Sequence, residues 1–426
     1  MNNLNDCFAS VSGRLTMAEA VGRFVNGILP VVGKENIPLA KAPGRILSAD
    51  LTARITVPPR DNSAVDGYLV YFDDLTADTA TTLPLTGRIS AGHSLSRLAR
   101  KGEALSIFTG AQIPLGEDGD NPDTIFMLED GTREGNSVLL PSGQERGANL
   151  RKAGEDVMTG DVVLKEGRRL RPQDIGMAAA LGCAKISVRK RLKVAIFSTG
   201  DEICDPGKRL KNSTIYDINR YTLLSLLQNL GCKITDIGIL PDNLGDIRQG
   251  LIEAAKNNDL LITSGGVSKG EEDHVRPAVE SLGALHTWNL LIKPGRPIAL
   301  GHVLDGGRQV PLVGLPGNPV AVLVTFIRIA RPIILLLAGS TQIEPTTYSV
   351  PSGFSFEKKP GRREWLRVRL QRDRNSVLNA IKYPLDGSGI LTSMVASDGL
   401  AELSEETTQV SEGDMIDYLP FSELMR

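Results

Sequence analysis

The stretch Leu260-Leu-Ile-Thr-Ser-Gly-Gly-Val-Ser-Lys-Gly-Glu-Glu-Asp273 decides how the rest of the chain is read. It starts as a short apolar run, the form of a strand buried on both faces of a parallel sheet. At Ser264-Gly265-Gly266 it breaks into a loop carrying hydroxyls, another glycine (Gly270) and a cluster of carboxylates. A helical pattern follows from about His274 to Gly283. Strand, glycine loop and helix in that order make an anion site, because glycines let backbone N–H groups approach an oxyanion and the helix start adds unpaired N–H groups. The fragment alone reads equally well as a tight strand-to-helix turn. What favours the site is that the same order recurs nearby.

From Lys193 to about Gly339 short apolar runs alternate with amphipathic segments: Val194-Ala-Ile-Phe197, a helix over Asn219 to Leu230, a strand over Ile234 to Leu240, a helix over Gly245 to Lys256, then the opening strand. Leu223, Leu226, Leu227 and Leu230 share one helical face, as do Ile247, Leu251 and Ala255. That pattern predicts a mostly parallel sheet with helices on both faces. Upstream, Thr16-Met-Ala-Glu19 reads as a capping box opening a helix that ends near Pro30. From about Ile37 to Ser187 the chain is dense in Gly and Pro with short alternating segments, which predicts β-rich modules apart from a helix over Asp174 to Leu181. After Gly339 alternation returns, clearest in Trp365-Leu-Arg-Val-Arg-Leu370, and predicts a small all-β domain. The fold class is therefore α/β plus β in several domains. No short internal repeat or low-complexity tract is visible.

The 426 residues, 41% of them hydrophobic, suffice for a core in each of several domains. A formal net charge of −2 without a long basic block argues against nucleic acid as the main partner. Cys7, Cys183, Cys204 and Cys232 are scattered with no C-x-x-C pair, which argues against a disulfide framework or a zinc site and suits a reducing compartment. The opening Met1-Asn-Asn-Leu-Asn-Asp6 lacks the basic segment and apolar run of a secretion signal. The most apolar stretch, Ile327 to Ala338, contains Arg328, Arg331 and Pro332 and is expected to be too short to span a bilayer. A cytoplasmic protein with no membrane partner is expected.

The chemistry gathers in the α/β segment. Ser198-Thr-Gly-Asp-Glu202 follows one predicted strand, Pro241-Asp242 the next, Ser264-Gly265-Gly266 the third, and Leu315-Pro-Gly-Asn-Pro319 a fourth over Val310 to Leu315. Ligands of an open α/β sheet bind outside the carboxyl ends of the strands, so these four loops are expected to converge. Their contents suit a phosphorylated ligand with a metal. Ser198, Thr199, Ser264 and Ser268 offer hydroxyls, and Glu202, Asp242 and Asp273 are hard oxygen donors of the kind Mg²⁺ takes together with substrate phosphates. Each carboxylate alone reads also as a helix N-cap or a solvated loop residue, and Asp217 is expected to be such a cap. Lys293-Pro-Gly-Arg-Pro297 sets two cations on a stiff turn, either a rigid anion clamp or an ordinary turn with solvated charges. Outside the segment, Asp61, Asn62, Ser63 and Asp66 crowd into one Pro/Gly-bounded loop, partly explained by Asx turns. Pro360-Gly-Arg362 and Asp386-Gly-Ser388 could supply a further cation and hydroxyl, and the dispersed histidines read as incidental.

These pieces, in order, resemble the molybdopterin molybdenumtransferase family, which includes MoeA and the E-domain of gephyrin. The matching motifs are Asp61-Asn-Ser-Ala-Val-Asp-Gly-Tyr68, Thr109-Gly-Ala111, Gly147-Ala-Asn-Leu-Arg151 with Gly154-Glu-Asp156, Ser198-Thr-Gly-Asp-Glu202, Ile215-Tyr-Asp-Ile-Asn219, Ser264-Gly-Gly-Val-Ser268, Lys293-Pro-Gly-Arg-Pro297 and Gly314-Leu-Pro-Gly-Asn-Pro319. The resemblance covers nearly the whole chain. It implies four domains: an elongated β-rich one over 27–52 and 151–182, a β-rich one over 53–150, a MogA-like α/β one over 1–26 and 183–338, and a C-terminal β-barrel over 339–426.

The resemblance further implies that adenylylated molybdopterin and molybdate enter with Mg²⁺, that the dithiolene takes the metal, and that AMP leaves. Glu202, Asp242 and Asp273 would hold Mg²⁺, with Asp66, Thr109, Asp242 and Asp273 as the catalytic set. Ser198, Thr199, Gly200, Asn219, Ser264, Gly265, Gly266, Ser268, Pro316, Gly317 and Asn318 would bind the pterin substrate, and Lys293, Arg296, Pro297, Arg362 and Ser388 would surround molybdate. A homodimer is implied in which the Asp66 loop of one chain closes over the partner's α/β site, with the molybdopterin adenylyltransferase as a possible further partner. Arg296 stands where the family usually has Lys, Lys269 where it has a small apolar residue, and Ala321 where it commonly has Ser. Arg is planar and bidentate while Lys is a point charge, so these departures bear on the molybdate subsite. Two alternative readings are an adenylyltransferase-like enzyme, which would need only the α/β segment, and a non-catalytic gephyrin-like scaffold, which could dispense with the three carboxylates.

Overall fold

The strands from Lys193 onward carry apolar side chains to both sides, and two helical layers cover them. In the computed structural model, which describes residues 4–9, 13–117, 119–266 and 274–424, they form a six-stranded sheet. Its strands are β1 (Lys193–Thr199), β2 (Lys233–Leu240), β3 (Leu260–Ser264), β4 (Gly283–Asn289), β5 (Pro297–Asp305) and β6 (Arg308–Leu315), in the order β2-β1-β3-β6-β5-β4. The pairs β2-β1, β1-β3 and β3-β6 are parallel, while β6-β5 and β5-β4 are antiparallel. Ser268, Lys269 and Asp273 lie outside the described residues.

Val194, Ile196, Leu260, Ile262, Val313 and Leu315 pack on one face with Leu223, Leu226 and Leu227 of the helix Ile218–Asn229 and Phe24 of the helix Met17–Gly27. Ala195, Phe197, Leu261 and Leu312 pack on the other with Ile247, Leu251 and Ala255 of the helix Leu244–Asn257 and Val275 and Val279 of the helix Val275–Leu282. Successive crossovers from β1 thus leave to opposite sides, and the strand order reverses between β1 and β3. That reversal is where a doubly wound sheet opens a crevice. The helix starts follow the sequence: Thr16 and Glu19 close a capping box, and the Arg220 N–H donates to Asp217 at 3.0 Å. Such caps contribute about 1 kcal/mol each.

The antiparallel pair β4-β5 was not part of the sequence reading. β4 is an edge strand carrying polar His286, Thr287 and Asn289, and β5 begins at a proline and is interrupted by His302, so neither shows the unbroken apolar run of β3. A second correction concerns the apolar stretch. The helical run extends over Pro319–Leu337, 19 residues of mean hydropathy 2.3, long and apolar enough to cross a membrane, but 94% of it is buried inside the protein. It starts at Asn318-Pro319, well before Ile327, because the proline opens a helix and a π-helical stretch over Phe326–Ala330 carries it onward. Its two arginines find partners in the fold: Arg328 lies 5.8 Å from the Trp365 ring centre, and Arg331 Nη1 donates to the Ile343 carbonyl at 2.8 Å. Burial pushes the Arg331 pKa down to about 10.

The chain divides into two units, Met1–Ala49 with Glu166–Arg171 and Lys185–Arg426, and Asp50–Lys165 with Pro172–Ala184. The first also holds a C-terminal sheet ordered Ile292–Lys293, Arg363–Arg372, Gly399–Leu403, Met415–Pro420, Tyr348–Pro351, with Leu378–Lys382 added to Arg363–Arg372. The leading strand comes from the α/β segment and pairs in parallel, Lys293 opposite Glu364. Trp365, Leu400 and Leu419 join the same core as the central sheet. The long strand is buried from Glu364 through Val368 on both sides, although its sequence alternates.

In the second unit the sheet runs Thr124–Met127, Gly67–Val70, Ala104–Ile107, Thr81–Ile89, Ser137–Leu140, Thr132–Glu134. Leu69, Ile107 and Ile125 fill one side, Tyr68, Phe126 and Val138 the other. Gly67 allows its strand to approach Thr124–Met127, since a Cβ there would fall 1.8 Å from the Phe126 carbonyl oxygen. Gly67→Ala is expected to destabilise this unit by roughly 1–3 kcal/mol, the cost of overpacking a fixed backbone. Thermal unfolding with proteolytic mapping checks it, and an unchanged transition would show that the strands separate freely.

Candidate functional site

Register brings the loop residues together. Ser198 stands opposite Ser264, and Ser264 opposite Leu315, at the carboxyl ends of β1, β3 and β6. Beyond them the Gly265 N–H donates to the Leu315 carbonyl at 3.0 Å. Gly265 and Gly266 take consecutive φ values of +80° and +64°, a conformation that L side chains rarely adopt. A Cβ on Gly266 would lie 2.5 Å from Thr199 Oγ1 and 2.9 Å from Val275 Cγ2, and one on Gly317 would lie 3.9 Å from the Gly265 Cα. Asn219 Nδ2 donates to the Gly317 carbonyl at 2.7 Å. The loops after β1, β3 and β6 and the start of the helix Ile218–Asn229 therefore touch around one crevice. The Ser198 hydroxyl is buried there and has no hydrogen-bond partner among the described residues.

Glu202 folds back over the end of β1: a Cβ on Gly200 would meet its carboxylate at 2.5 Å. Asp242 follows the end of β2, whose Leu240 pairs with Thr199. Two hard carboxylates thus sit beyond neighbouring strand ends beside an unpartnered hydroxyl, a donor set that suits Mg²⁺ bound through few carboxylates plus phosphates. Among the described residues no group of three His, Cys, Asp or Glu could hold a metal. Arg220 fixes the long loop after β1, pairing with Asp217 at 3.0 Å, with Asp236 of β2 at 2.7 Å, and with Asp205.

A second concavity adjoins the β6 loop. Gly295, at φ +93°, seats the Lys293–Pro297 turn so closely that a Cβ would meet Thr325 Cγ2 at 2.4 Å and Pro316 Cγ at 3.6 Å. Lys293, Arg296, Arg362 and Ser388 line a cavity of about 310 Å³ together with Glu364, Trp365, Arg367 and Asp386. The Ser388 loop is tied in by the Val320 N–H, which donates to the Ser388 carbonyl at 3.0 Å. Pro297 opens β5 and is exposed, and Asn318 precedes the buried helix without a side-chain capping bond.

Two further charged groups of the cavity, Glu364 and Arg367, belong to no motif of the sequence. Glu364, only 2% exposed, reaches Lys293 Nζ at 3.0 Å and Arg362 Nη2 at 3.1 Å. Arg367 donates to Ser393 Oγ at 3.1 Å and to the Leu385 carbonyl at 2.9 Å. The available signal was a charged pair, Arg363-Glu364, at the head of the alternating strand, and alternation assigned such residues to solvent.

In the second unit, the Thr109 N–H and hydroxyl both donate to Asp66 Oδ1, at 2.8 and 2.7 Å. These bonds, the backbone one first, hold the Asp66 carboxyl below the usual range although it is exposed. The rest of that polar loop is turn chemistry: Asp61 accepts from the Ala153 N–H at 2.8 Å, Asn62 donates to the Arg60 carbonyl at 3.1 Å, and the Ser63 hydroxyl donates to the Val65 carbonyl at 2.5 Å. Asp66 in the same way ties the loop to the Thr109-Gly110 turn, yet it stays exposed.

Comparison with known proteins gives three consecutive family matches: MoeA N-terminal region (domain I and II) over 15–182, probable molybdopterin binding domain over 195–335, and MoeA C-terminal region (domain IV) over 349–421. A molybdopterin molybdenumtransferase of Haemophilus influenzae is 35% identical over 413 residues, 96% of this chain and 100% of the relative. Molybdopterin molybdenumtransferase 2 of Mycobacterium tuberculosis is 31% identical over 89% of this chain and 93% of the relative. The crystal structure of the molybdopterin biosynthesis moeA protein from Pyrococcus horikoshii superposes with a TM-score of 0.80 at 26% identity, covering 96% of this chain and 100% of that one.

The loop contact makes a prediction about two neighbouring glycines. Gly266→Ala is expected to lower stability by roughly 1–3 kcal/mol, from a close contact and a left-handed backbone together. Gly317→Ala, which meets nothing nearer than 3.9 Å, should shift the denaturation midpoint much less. Equal shifts in the two variants would contradict the contact between Gly266 and Thr199.

Proposed function

The chain belongs to the molybdopterin molybdenumtransferase family and acts in molybdenum insertion during cofactor synthesis, and on that premise we propose that it takes adenylylated molybdopterin and molybdate and releases AMP. The observation that carries the reading is the adjacency of two anion subsites across the β6 loop. The glycine crevice lies on one side of Pro316-Gly317, and the cationic cavity lies on the other, with Gly295 packed against Pro316.

The two subsites hold anions differently. Phosphate oxygens meet the uncharged donors of the crevice, the Ser198 and Thr199 hydroxyls and the backbone of Gly265-Gly266, which approach closely because no Cβ intervenes. Asn219 keeps Gly317 in place beneath them through its 2.7 Å bond. Glu202 and Asp242, with Asp273, would hold Mg²⁺, which would supply charge neutralisation at the phosphoanhydride. Molybdate, a tetrahedral dianion, takes Lys293, Arg296, Arg362 and Ser388. Cleaving a phosphoanhydride needs alignment and charge neutralisation more than a covalent nucleophile, and these residues offer no activated nucleophile.

Incubation of the purified protein with adenylylated molybdopterin, Mg²⁺ and molybdate, following AMP and metal-bound cofactor, tests the reading directly. Asp242→Ala and Glu202→Ala should keep the wild-type melting curve yet lose AMP release by on the order of 10²-fold at limiting Mg²⁺, the scale of removing one electrostatic contact. Normal turnover by both would remove them from the metal site.

The proposal includes a homodimer in which Asp66 serves the partner's site. Asp66 is exposed, and its carboxylate is oriented by the N–H and hydroxyl of Thr109 in the Thr109-Gly110 turn. Asp66→Ala and Asp242→Ala should each be nearly inactive. Unfolded, mixed and reassembled in equal amounts, half the dimers carry one intact and one doubly altered site, so activity should return to about a quarter of wild type. If Asp66 serves its own chain, every site keeps one lesion and a flat mixing curve results.

A further inference from the structure

An oxyanion site calls for cations and donors, yet a carboxylate lies at the centre of this one. Glu364 is built into the cavity by the sheet: its backbone pairs with Lys293, and its side chain is 2% exposed. Oε2 lies 3.0 Å from Lys293 Nζ and Oε1 lies 3.1 Å from Arg362 Nη2. The pairing is incomplete, since Glu364 Oε1 and Arg362 Nε are both buried with no hydrogen bond among the described residues. Arg296, exposed on the same wall, has neither an ion pair nor a hydrogen bond from its guanidinium among those residues. Four cations line the cavity, Lys293, Arg296, Arg362 and Arg367, against two carboxylates, Glu364 and Asp386, a formal surplus of two positive charges, the charge of one tetrahedral dianion.

We propose that Glu364 is a resident counter-ion, a positioning residue that holds Lys293 and Arg362 ready and caps the affinity of the cavity for its oxyanion. The inference rests on the oxyanion reading of this cavity given above. Without Glu364 the two cations would repel each other and swing apart. With it they stay in place, but part of their field is already neutralised, and the incoming dianion engages Arg296 and the unused Arg362 Nε edge. A metal oxyanion that must pass to a dithiolene has to leave, and a fully uncompensated trio of cations would retain it. The buried carboxylate therefore trades binding strength for transfer.

Molybdate binding to the intact protein, measured by titration calorimetry over a range of salt concentrations, tests this. Glu364→Gln keeps the shape and one acceptor while removing the charge. It should bind molybdate about tenfold more tightly, as expected for deleting a like charge several ångströms away in a partly screened site, with a steeper salt dependence. Its insertion rate at saturating molybdate should fall, and its melting temperature should drop without molybdate, because a buried counter-charge is lost, and recover when molybdate is added. Asp305→Asn removes a carboxylate at the far end of β5, outside the cavity and paired with Arg308 at 3.0 Å, and should change affinity less than about twofold. Equal or weaker binding by Glu364→Gln, or equal tightening by Asp305→Asn, would overturn the proposal. Should Glu364→Gln not fold, Glu364→Asp, which keeps the charge, is expected to bind no more tightly than wild type, and tighter binding overturns it. A wild-type protein that does not bind molybdate sinks the oxyanion reading itself, whereas wild-type binding that Glu364→Gln leaves unchanged sinks only the counter-ion.

Discussion

The loops beyond β1 and β3 can meet because residue 266 has no side chain. Gly265 and Gly266 take consecutive left-handed backbone angles, and Gly266 comes against Thr199 within a distance that a Cβ would forbid. Several contacts of the carboxyl edge surround that approach. The Gly265 N–H bonds the end of β6, Gly317 lies beside Gly265, and Asn219 holds the Gly317 carbonyl. A crevice lined by backbone donors needs this closeness, since N–H groups act only within hydrogen-bond range.

The cationic cavity depends on a different constraint, the joining of the last sheet to the central one. Ile292–Lys293 leaves the α/β segment to pair with Arg363–Glu364, and Trp365 inserts its ring into the shared core beside Arg328. The long buried helix through Pro319–Leu337 runs beneath both and presents Thr325 to the Lys293–Pro297 turn. Charged side chains set on paired strands and a packed turn lose little freedom on binding, which favours selective recognition over loose attraction.

How much of this the sequence disclosed follows from what each residue type reports about itself. The parallel strands β1, β3 and β6 were legible because burial on both faces demands continuous apolar runs, and the edge strand β2 because it lies between two amphipathic helices. The polar loops at their ends were legible because hydroxyls, glycines and carboxylates follow those strands directly. The pair β4-β5 was not, because Pro297 and the polar residues His286, Thr287 and Asn289 resemble loop. Lys293, Arg296, Arg362 and Ser388 are far apart in sequence, and it was resemblance to a family, not spacing, that grouped them; the geometry then set them around one cavity. Glu364 escaped both routes, since a charged residue at the head of an alternating strand reads as solvent-facing until the neighbouring sheet covers it.

The two subsites also differ in how charge is supplied, and the difference has a reason. The crevice is lined by backbone dipoles and hydroxyls, with the carboxylate of Glu202 folded over the end of β1. The cavity offers formal charges in low-dielectric surroundings, where one uncompensated cation is worth far more than it is in water. Buried cations without an internal partner are costly to fold around and slow to release what they bind. Arg362, mostly buried, shares Glu364 with the half-exposed Lys293, while Arg296 stays exposed to solvent. The two ways of supplying positive potential meet at the β6 loop, with Pro316 against Gly295 on one side and Gly317 beside Gly265 on the other.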